Sequence, residues 1–490
     1  MFSRYEYPQE KEATEPLITK SSSTLTRKSN CQYSLSLFSF SPCALKVLAS
    51  ILCGLCILNV IVTTIPLPWT NISSLTSCLA DSNVPFIVEG AAAWERSITP
   101  WNVRLTYTPA AVAIPDTIEQ IQIAVNCGIK NKVRVTAKGG GHSFGSYGLG
   151  GEDGHLVVEL QQLNDVTLFE NGTARIQPGA SIGLAGHALH GGYGAGSSFG
   201  IVAELEFKTF EAPKQVTPFT IELPWTEEAA FDTLSALQDF ALVAPQTLNL
   251  FLSVTATSQI IQGLYFGDKG GLLDCLQPLL ERLGTTVSNM ETIGWLEGLY
   301  HYADNEPIHS PSPYNTHGSF YTSSLTTPAL TEEQMESLIS AMFLNINDTS
   351  ARHPWDIVIE MHGGPNSAVS QVDSPATAYV HRDKVLLWQL SDSSEQDSLP
   401  RESFAMLKKF MNSVTRSLSD DQWGMYANFI VTELDGKTAQ DLYWGKNLPR
   451  LKALKTKFDP NNIFWNPQGI TPVVELGTQR SNYQQMRPSD

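Results

Sequence analysis

Residues 45–65, LKVLASILCGLCILNVIVTTI, are apolar almost without interruption, and a helix of that length crosses the roughly 30 Å of a bilayer's hydrocarbon. Beyond the Pro-rich link IPLPW the apolar spacing shortens. From 78 to 213, brief β-type runs alternate with helix-type runs amid many glycines, the punctuation of an α/β segment. There TPAAVAIPDTIEQIQIAV predicts a strand and then a helix opened by Pro115 and capped by Asp116, with Ile118, Ile121, Ile123 and Val125 on one side. A strand over 133–137 leads into a glycine loop, and a further strand, a turn and a hairpin reversing at Asn171 and Gly172 come next. From about 216 to 431 the period becomes that of amphipathic helices (TEEAAFDTLSALQDFALV, TEEQMESLISAMFL, LPRESFAMLKKFMNSVTRSL) interleaved with the strand runs NLFLSVTAT and DIVIEMHG. That alternation predicts a second domain, a mixed sheet backed by helices. A last helix stops at Asp459 and Pro460 and gives way to an extended aromatic segment.

Charge orients the apolar run. Lys11, Lys20, Arg27, Lys28 and Lys46 lie before it or at its edge and few basic residues follow, so the amino terminus is predicted to stay cytoplasmic and the body to face the lumen. The other reading, a cleaved secretory signal, also exports the body, but the run exceeds the roughly 7 to 15 apolar residues of such signals. Asn71-Ile72-Ser73, Asn171-Gly172-Thr173 and Asn347-Asp348-Thr349 are glycosylation triplets consistent with export. Against 32 basic residues stand 49 acidic ones, a formal charge of −17, which works against a phosphate backbone and argues against nucleic acid as a partner. The length of 490 residues and the 42% apolar fraction allow two or three domains with large cores.

Of seven cysteines, Cys31, Cys43, Cys53 and Cys56 lie in or before the apolar run, which leaves Cys78, Cys127 and Cys275 for the body and at most one bridge within it. We expect Cys78 to pair with Cys127, and Cys275 in LLDCLQPLL to be a buried thiol on a helix face. No cysteine pair has zinc spacing, and His187 with His190 lacks a third ligand at suitable spacing, so no metal is expected.

Candidate chemistry begins at Lys138-Gly139-Gly140-Gly141-His142-Ser143-Phe144-Gly145, where consecutive N–H groups without Cβ obstruction suit the close approach of a pyrophosphate. Taken alone the loop reads equally as a turn with a surface histidine, and it has neither the GxGxxG spacing nor the Lys-Ser/Thr ending of the common nucleotide loops. The ordered succession ITPWNVRLTYTPAAVAIPDTIEQIQIAV, KGGGHSFGSYGLGGEDGHLVVEL, GHALHGGYG, GAGSSFGIV and YWGKNLPRLKALKTKFDPNNIFWNPQ, over about 78–472, resembles the berberine-bridge-enzyme-like branch of the FAD-linked oxidases, and most of all its fungal oligosaccharide oxidases.

The resemblance implies an α+β fold: a two-subdomain PCMH-type FAD-binding domain and a mixed-sheet substrate domain backed by helices, after an N-terminal transmembrane helix. The expected boundaries are a cytoplasmic tail at 1–44, the anchor at 45–66, a shortened FAD domain at 78–213, the substrate domain at 214–435, a returning segment at 436–475 and a tail at 476–490. It also implies that His142 bonds covalently to the flavin 8α-methyl group, that the loop 139–145 (Gly139, Gly140, Gly141, Ser143, Gly145) holds the pyrophosphate, and that Gly191, Gly192, Ser197, Ile201 and Gln468 complete the cofactor site. A tethered flavin cannot be lost and has a raised potential, an advantage for an exported oxidase.

Two departures from the family pattern stand out. IQPGAS runs almost directly into IGLAGHALHGGYG, without the helix and the second flavin-linking cysteine that relatives carry, so only a histidyl link is expected. Gly194 then joins Ala195 directly, where relatives have a segment of strands on the adenine side. A chain so shortened has an alternative reading, a membrane-tethered remnant or mis-spliced form that does not retain FAD.

On the substrate side, IVIEMHGGPNSAV places Glu360 on a strand, where the resemblance implies a carboxylate that works with a tyrosine to take the hydroxyl proton as hydride leaves the same carbon. A phenol of pKa about 10 needs such help at neutral pH. The tyrosine is expected in Tyr426-Ala427-Asn428-Phe429, whose second aromatic is phenylalanine, which leaves Glu360 and Tyr426 as the proton acceptors. A salt-bridged surface carboxylate is the competing reading of Glu360. Trp355 and Trp388 are candidates for stacking on substrate rings. The expected reaction is oxidation of an alcohol or hemiacetal, a sugar or a secondary metabolite, with dioxygen as acceptor.

Overall fold

The computed structural model describes residues 69–180, 196–302, 317–347, 354–394 and 399–473, so the apolar run 45–65 and His187, His190, Gly191 and Gly192 lie outside the described residues. The chain divides into two units, Met1–Thr70 and Asn71–Asp490, and the second holds every described strand. Among the described residues no helix is long and apolar enough to cross a membrane.

In the second unit β1 (Phe86–Ile87), β2 (Ala111–Ala113), β3 (Val135–Lys138) and β4 (Leu156–Glu159) form one sheet in the order β1-β2-β4-β3, parallel except for β1. β2 and β4 are buried throughout, as parallel strands covered on both faces must be. The helix Ile118–Asn131 connects β2 to β3 and buries Ile121, Ala124, Cys127 and Gly128. Ile118, Ile123 and Val125 are only partly buried, so the buried stripe follows the 3.6-residue period and is narrower than expected. Its cap is Thr117, not Asp116. The Thr117 hydroxyl accepts from the Gln120 amide at 3.2 Å while the Gln120 side chain returns to the Asp116 amide at 2.9 Å, a reciprocal arrangement one residue later than the expected start.

Cys78 and Cys127 are disulfide-bonded, joining this helix to Trp69–Asp81 across 49 residues of sequence. Closing a loop of that length restricts the unfolded chain, so Cys127→Ser is expected to cost about 2–4 kcal/mol. Urea denaturation of the oxidised protein and the variant checks it, and equal midpoints would refute it. Cys275 is half-buried rather than buried, because it sits on the flank of the helix Lys269–Leu283, which turns Leu272, Leu276 and Leu279 inward.

β5 (Val166–Leu168), β6 (Thr173–Ile176) and β7 (Leu205–Lys208) form a small antiparallel sheet, β5-β6-β7, with the expected reversal at Asn171 and Gly172, where Gly172 has φ +78°. Every residue of β5 is exposed, and Leu168 and Phe210 keep 72% and 65% of their surface in water.

The large sheet contains β8 (Gln215–Leu223), β9 (Leu248–Thr255), β10 (Gln259–Tyr265), β11 (Asn289–Met290), β12 (Ile293–Gly294), β13 (Ser319–Thr327), β14 (Asp356–Met361) and β15 (Leu386–Ser394). Its order is β11-β8-β10-β9-β14-β15-β13, with β12 also on β8. The expected mixed sheet is in fact antiparallel at every described pairing. The reason lies in two connections of the same kind. The helix Glu227–Ala241 carries the chain from β8 to β9 and Glu332–Asn347 carries it from β13 to β14, each skipping one place, and β10 and β15 then fill the gaps. The two halves of this sheet meet at β9 and β14, which puts β14 and its Glu360 in the middle of the sheet.

These helices and Arg401–Thr415 cover one face and enclose the main core. Trp355 and Trp388 belong to that core at 2% and 1% exposure, with their indole N–H groups on Asn345 Oδ1 and Thr327 Oγ1, so they pack the sheet and line no substrate pocket. After Leu448–Phe458 the chain returns to the first sheet, where the Val135 amide donates to the Ile463 carbonyl at 3.0 Å.

Candidate active site

β3 ends in the glycine loop, and the loop's geometry explains its composition. A Cβ on Gly139 would stand 3.2 Å from the Pro178 carbonyl, one on Gly140 3.1 Å from His142 Nδ1, and one on Gly145 about 3.0 Å from the Tyr147 ring and 3.1 Å from Ile430. Gly141 has φ +75°, where side chains are strained. Ser143 closes the turn, its hydroxyl accepting from the Tyr147 amide at 3.1 Å. Beneath the loop Lys138 pairs with Glu159 at 2.9 Å and donates to the Ser97 carbonyl, a largely buried ion pair that holds the strand end in place.

His142 leaves the loop with part of its ring open to solvent and the Trp101 ring edge-on at 5.4 Å. The packing around it, and the nearby His317, hold its pKa below the usual imidazole value. A neutral ring keeps a nitrogen lone pair, the state that a bond to a carbon electrophile requires.

From His142 an aromatic row runs toward β14. Trp101, Phe144 and Phe320 pack together with centroids 4.8 to 5.5 Å apart, Phe144 stacks on Phe429 at 5.6 Å, Phe429 meets Tyr426 edge-on at 5.2 Å, and Tyr426 meets Tyr379 at 5.8 Å. Asn102, 1% exposed, ties the row together: its amide donates to the Phe144 and Phe320 carbonyls at 2.9 and 3.0 Å, linking the glycine loop to β13. Arg104 adds a second tie, to the Phe320 carbonyl and the Thr432 hydroxyl.

Glu360, opposite Leu387 and Phe251 in the sheet, is half-buried and forms no salt bridge among the described residues. Burial raises its pKa, which removes the reading of a solvated, paired surface carboxylate. Its charge in turn contributes to raising the phenol pKa values of Tyr379 and Tyr426, for both of which burial is the main cause. The Tyr426 hydroxyl accepts from Asn428 at 2.7 Å and its amide donates to Ser324 Oγ at 3.0 Å. Tyr379 is hydrogen-bonded to His362 Nε2 at 2.7 Å. Sequence reasoning did not single out Trp101, Asn102, Tyr379 or His362. The run AYVHRD, dense in titratable groups between two strands, was the available signal for Tyr379.

The structure thus joins His142, Phe429 and Tyr426 through one aromatic row, with the loop glycines and Ser143 beside His142 and the Glu360 charge acting on Tyr426, a row of which Ser197, Ile201 and Gln468 are not part. Ser197 is exposed, whereas its neighbour Ser198 is buried and accepts from the Ile470 amide at 3.1 Å. Ile201 packs against the core of the first sheet. The Gln468 amide is fully engaged by protein groups, donating to the Val431 and Leu434 carbonyls at 2.7 and 3.1 Å and accepting from the Tyr443 hydroxyl at 2.9 Å, so it braces this segment and has no donor left for a ligand. Among the described residues no cluster of metal ligands occurs.

The crowded glycine cradle, with Gly141 at positive φ, and the neutral His142 beside it fit a flavin dinucleotide attached through the histidine. Comparison with known proteins agrees. Residues 109–204 match the family described as FAD binding domain, and 425–471 match the family described as berberine and berberine like. An FAD-linked oxidoreductase of Metarhizium anisopliae is 38% identical over 473 residues, covering 83% of this chain and 92% of that protein. The chitooligosaccharide oxidase of Gibberella zeae is 35% identical over 471 residues, covering 82% and 95%. Among solved structures, the glucooligosaccharide oxidase from Acremonium strictum, described with a 6-S-cysteinyl, 8α-N1-histidyl FAD, superposes with a TM-score of 0.77 at 32% identity, covering 82% of this chain and 100% of that one. Since 83% of 490 residues is about 407, the first alignment holds some 66 more positions than this chain supplies, so the relative carries internal segments that this chain lacks.

Proposed function

Because this chain belongs to the berberine-like family of FAD-linked oxidoreductases, we propose that it oxidises a sugar hemiacetal or a secondary-metabolite alcohol, with Glu360 as the proton acceptor. The observation that carries this reading is the aromatic row that runs from His142 through Trp101, Phe144 and Phe429 to Tyr426, on which the charge of the half-buried Glu360 acts. Bound FAD supplies the two-electron acceptor, and dioxygen restores it with release of hydrogen peroxide.

The chain's own residues do the rest. His142 tethers the cofactor, and the loop of Gly139, Gly140, Gly141, Ser143 and Gly145 holds its phosphates on backbone N–H groups, with Gly191, Gly192, Ser197 and Ile201 as further contacts. Glu360, a carboxylate whose pKa burial has raised, is a stronger base than a solvated one and takes the hydroxyl proton. Tyr426 lines the same space and orients the hydroxyl. The aromatic wall excludes water and offers rings against which a sugar can lie. The FAD domain over 78–213, the substrate domain over 214–435 and the returning segment over 436–475 are the parts that this division of labour requires. The remnant reading is not favoured, since the cradle and His142 are intact despite the missing segments.

The body is read as exported and anchored by residues 45–66, with the amino terminus cytoplasmic, or else secreted after cleavage. A disulfide suits an oxidising compartment, and Asn171 and Asn347 are exposed. Protease digestion of microsomes tests the anchor, and cleavage of the body from the cytoplasmic side would overturn it. For the reaction, peroxide release is measured on chito-, xylo- and gluco-oligosaccharides and on polyketide alcohols. Flavin is expected to stay with the polypeptide through denaturation and to be washed away entirely in His142→Ala. Free flavin from both forms would refute the tether.

A further inference from the structure

One buried side chain fastens the surroundings of His142. The chain around Asn102 lies beside the start of β13 as an isolated parallel bridge, with the Gly318 amide donating to the Trp101 carbonyl and the Val103 amide to the Gly318 carbonyl, both at 3.0 Å. Trp101 sets its ring edge-on to His142 at 5.4 Å and packs on Phe144 at 5.2 Å. The next residue, Asn102, is 1% exposed. Its side-chain nitrogen donates to the Phe144 carbonyl at 2.9 Å and to the Phe320 carbonyl at 3.0 Å, while Oδ1 accepts from the Phe320 amide at 3.4 Å. Its backbone carbonyl accepts from Ser146 Oγ at 3.3 Å, and Ser146 holds the left-handed φ of +54°. Residues two and four places beyond His142 are therefore both bonded to the neighbour of Trp101, so the ring that meets His142 and the backbone that carries it keep a fixed spacing. Two donors and an acceptor in one small plane are what an amide offers. The Phe320 carbonyl has a further donor in Arg104 Nε at 3.0 Å, so without the Asn102 amide β13 stays tied and the loop carbonyl of Phe144 is the group released.

We infer that Asn102 is a positioning residue for the covalent attachment of flavin to His142, acting by fixing the loop from His142 to Ser146 against Trp101 and β13. The inference rests on the reading of His142 as the tether. In the attachment a C–H bond of the 8α-methyl group breaks and a C–N bond to the imidazole forms. The methyl and imidazole protons and two electrons pass to the isoalloxazine, from which dioxygen removes them as hydrogen peroxide. Such a step needs the nitrogen held about 3–3.5 Å from the carbon on one line of approach, and a misplacement of about 1 Å can cost about 100-fold in rate. Gly139, Gly140 and Gly141 precede His142, and a run of three glycines by itself leaves the backbone many conformations. The Asn102 bonds remove that freedom on the far side of the histidine, at Phe144 and Ser146.

The test follows attachment, not turnover, in the full-length protein. Asn102→Leu keeps the bulk and removes the donors, and Asn102→Asp keeps the acceptor for the Phe320 amide but sets a carboxylate against two carbonyls. Each protein is made in riboflavin-starved cells, mixed with FAD in air and sampled over time. Flavin that stays with the polypeptide through denaturation is compared with the total bound beforehand. Both variants are expected to attach flavin about 10-fold more slowly or worse, while their total bound flavin stays near that of the unaltered protein. Cys127→Ser, which loosens the fold without touching these bonds, is expected to attach flavin at the unaltered rate, and equal slowing there would overturn the inference. So would an unaltered rate in both Asn102 variants. Loss of total flavin in step with attachment, or failure of both variants to fold, would make Asn102 a structural residue and overturn it as well. If the unaltered protein holds no flavin through denaturation, the tether at His142 falls and the inference falls with it.

Discussion

Glu360→Gln is expected to slow flavin reduction by about 10²- to 10⁴-fold, the usual worth of a positioned general base, with flavin content unchanged. The amide has nearly the shape of the carboxyl and leaves β14 in register between β9 and β15. What it removes is the proposed acceptor for the hydroxyl proton, and Phe429 offers no phenol in its place. The pH dependence has a definite sign. Only the carboxylate accepts a proton, and burial places its pKa above the ordinary value, so in the unaltered protein the rate climbs as pH rises through that raised pKa and then levels. The Gln variant is expected to lack that limb. Stopped-flow reduction under anaerobic conditions reads both effects, and a variant that keeps the limb would assign it to another group. The Phe429→Tyr substitution complements this: a second phenol on the wall next to Tyr426 is expected to raise the residual rate of the Gln variant.

Lys455→Met is expected to destabilise the fold by about 3–5 kcal/mol, the cost of breaking a buried ion pair from one side. Lys455 is wholly buried, and its ammonium donates to Asp459 Oδ2 at 2.7 Å, the Phe464 carbonyl at 2.6 Å and the Ser198 carbonyl at 2.5 Å. Three acceptors satisfy three N–H groups, so the methionine leaves a buried carboxylate and two carbonyls without their donor. Asp459 keeps its bonds from the Ile463 and Phe464 amides, which limits the loss. The location matters as much as the energy. Ser198 belongs to the short helical turn Gly196–Ser198, and Lys455 ties that turn to the C-terminal helix Leu448–Phe458. Urea denaturation followed by both protein and flavin signals is the measurement. Unfolding at the same midpoint as the unaltered protein would show that the three bonds contribute little.

Such ties suggest how a shortened chain retains its cofactor half. The relative from Metarhizium anisopliae supplies some 66 more positions than this chain over the aligned stretch. Leu168 on β5 and Phe210 just past β7 are exposed, the apolar surface expected where further packing is missing. The first sheet, by contrast, is closed by the Cys78–Cys127 bridge and by Ile463 and Phe464 returning from the far end of the chain.

The sequence by itself determined the periodic elements and the loop chemistry. The strands β4, β9 and β14, the three long helices of the second domain, the hairpin at Gly172 and the disulfide all follow from local signals: apolar period, turn residues and the small number of cysteines available. The glycine loop was legible from its run of three glycines before His142, and the structure adds that a Cβ at Gly139, Gly140 or Gly145 would press on its neighbours at 3.0 to 3.2 Å. The placement of Thr117 as the cap was missed by one residue, since Asp and Thr are both good caps and only the backbone decides which one turns into the helix. The antiparallel sheet was not legible, because a helix crossover that skips one place and one that does not have the same sequence pattern. Tertiary structure alone decided which polar residues share a space. Trp355 and Trp388 go to the core because their indoles find partners there. His362 and Tyr379, 17 residues apart, meet because β14 and the loop before β15 fold onto each other. Side-chain chemistry is written residue by residue, but proximity between distant residues is a property of the packed sheets, and the site at Glu360 is made of such proximities.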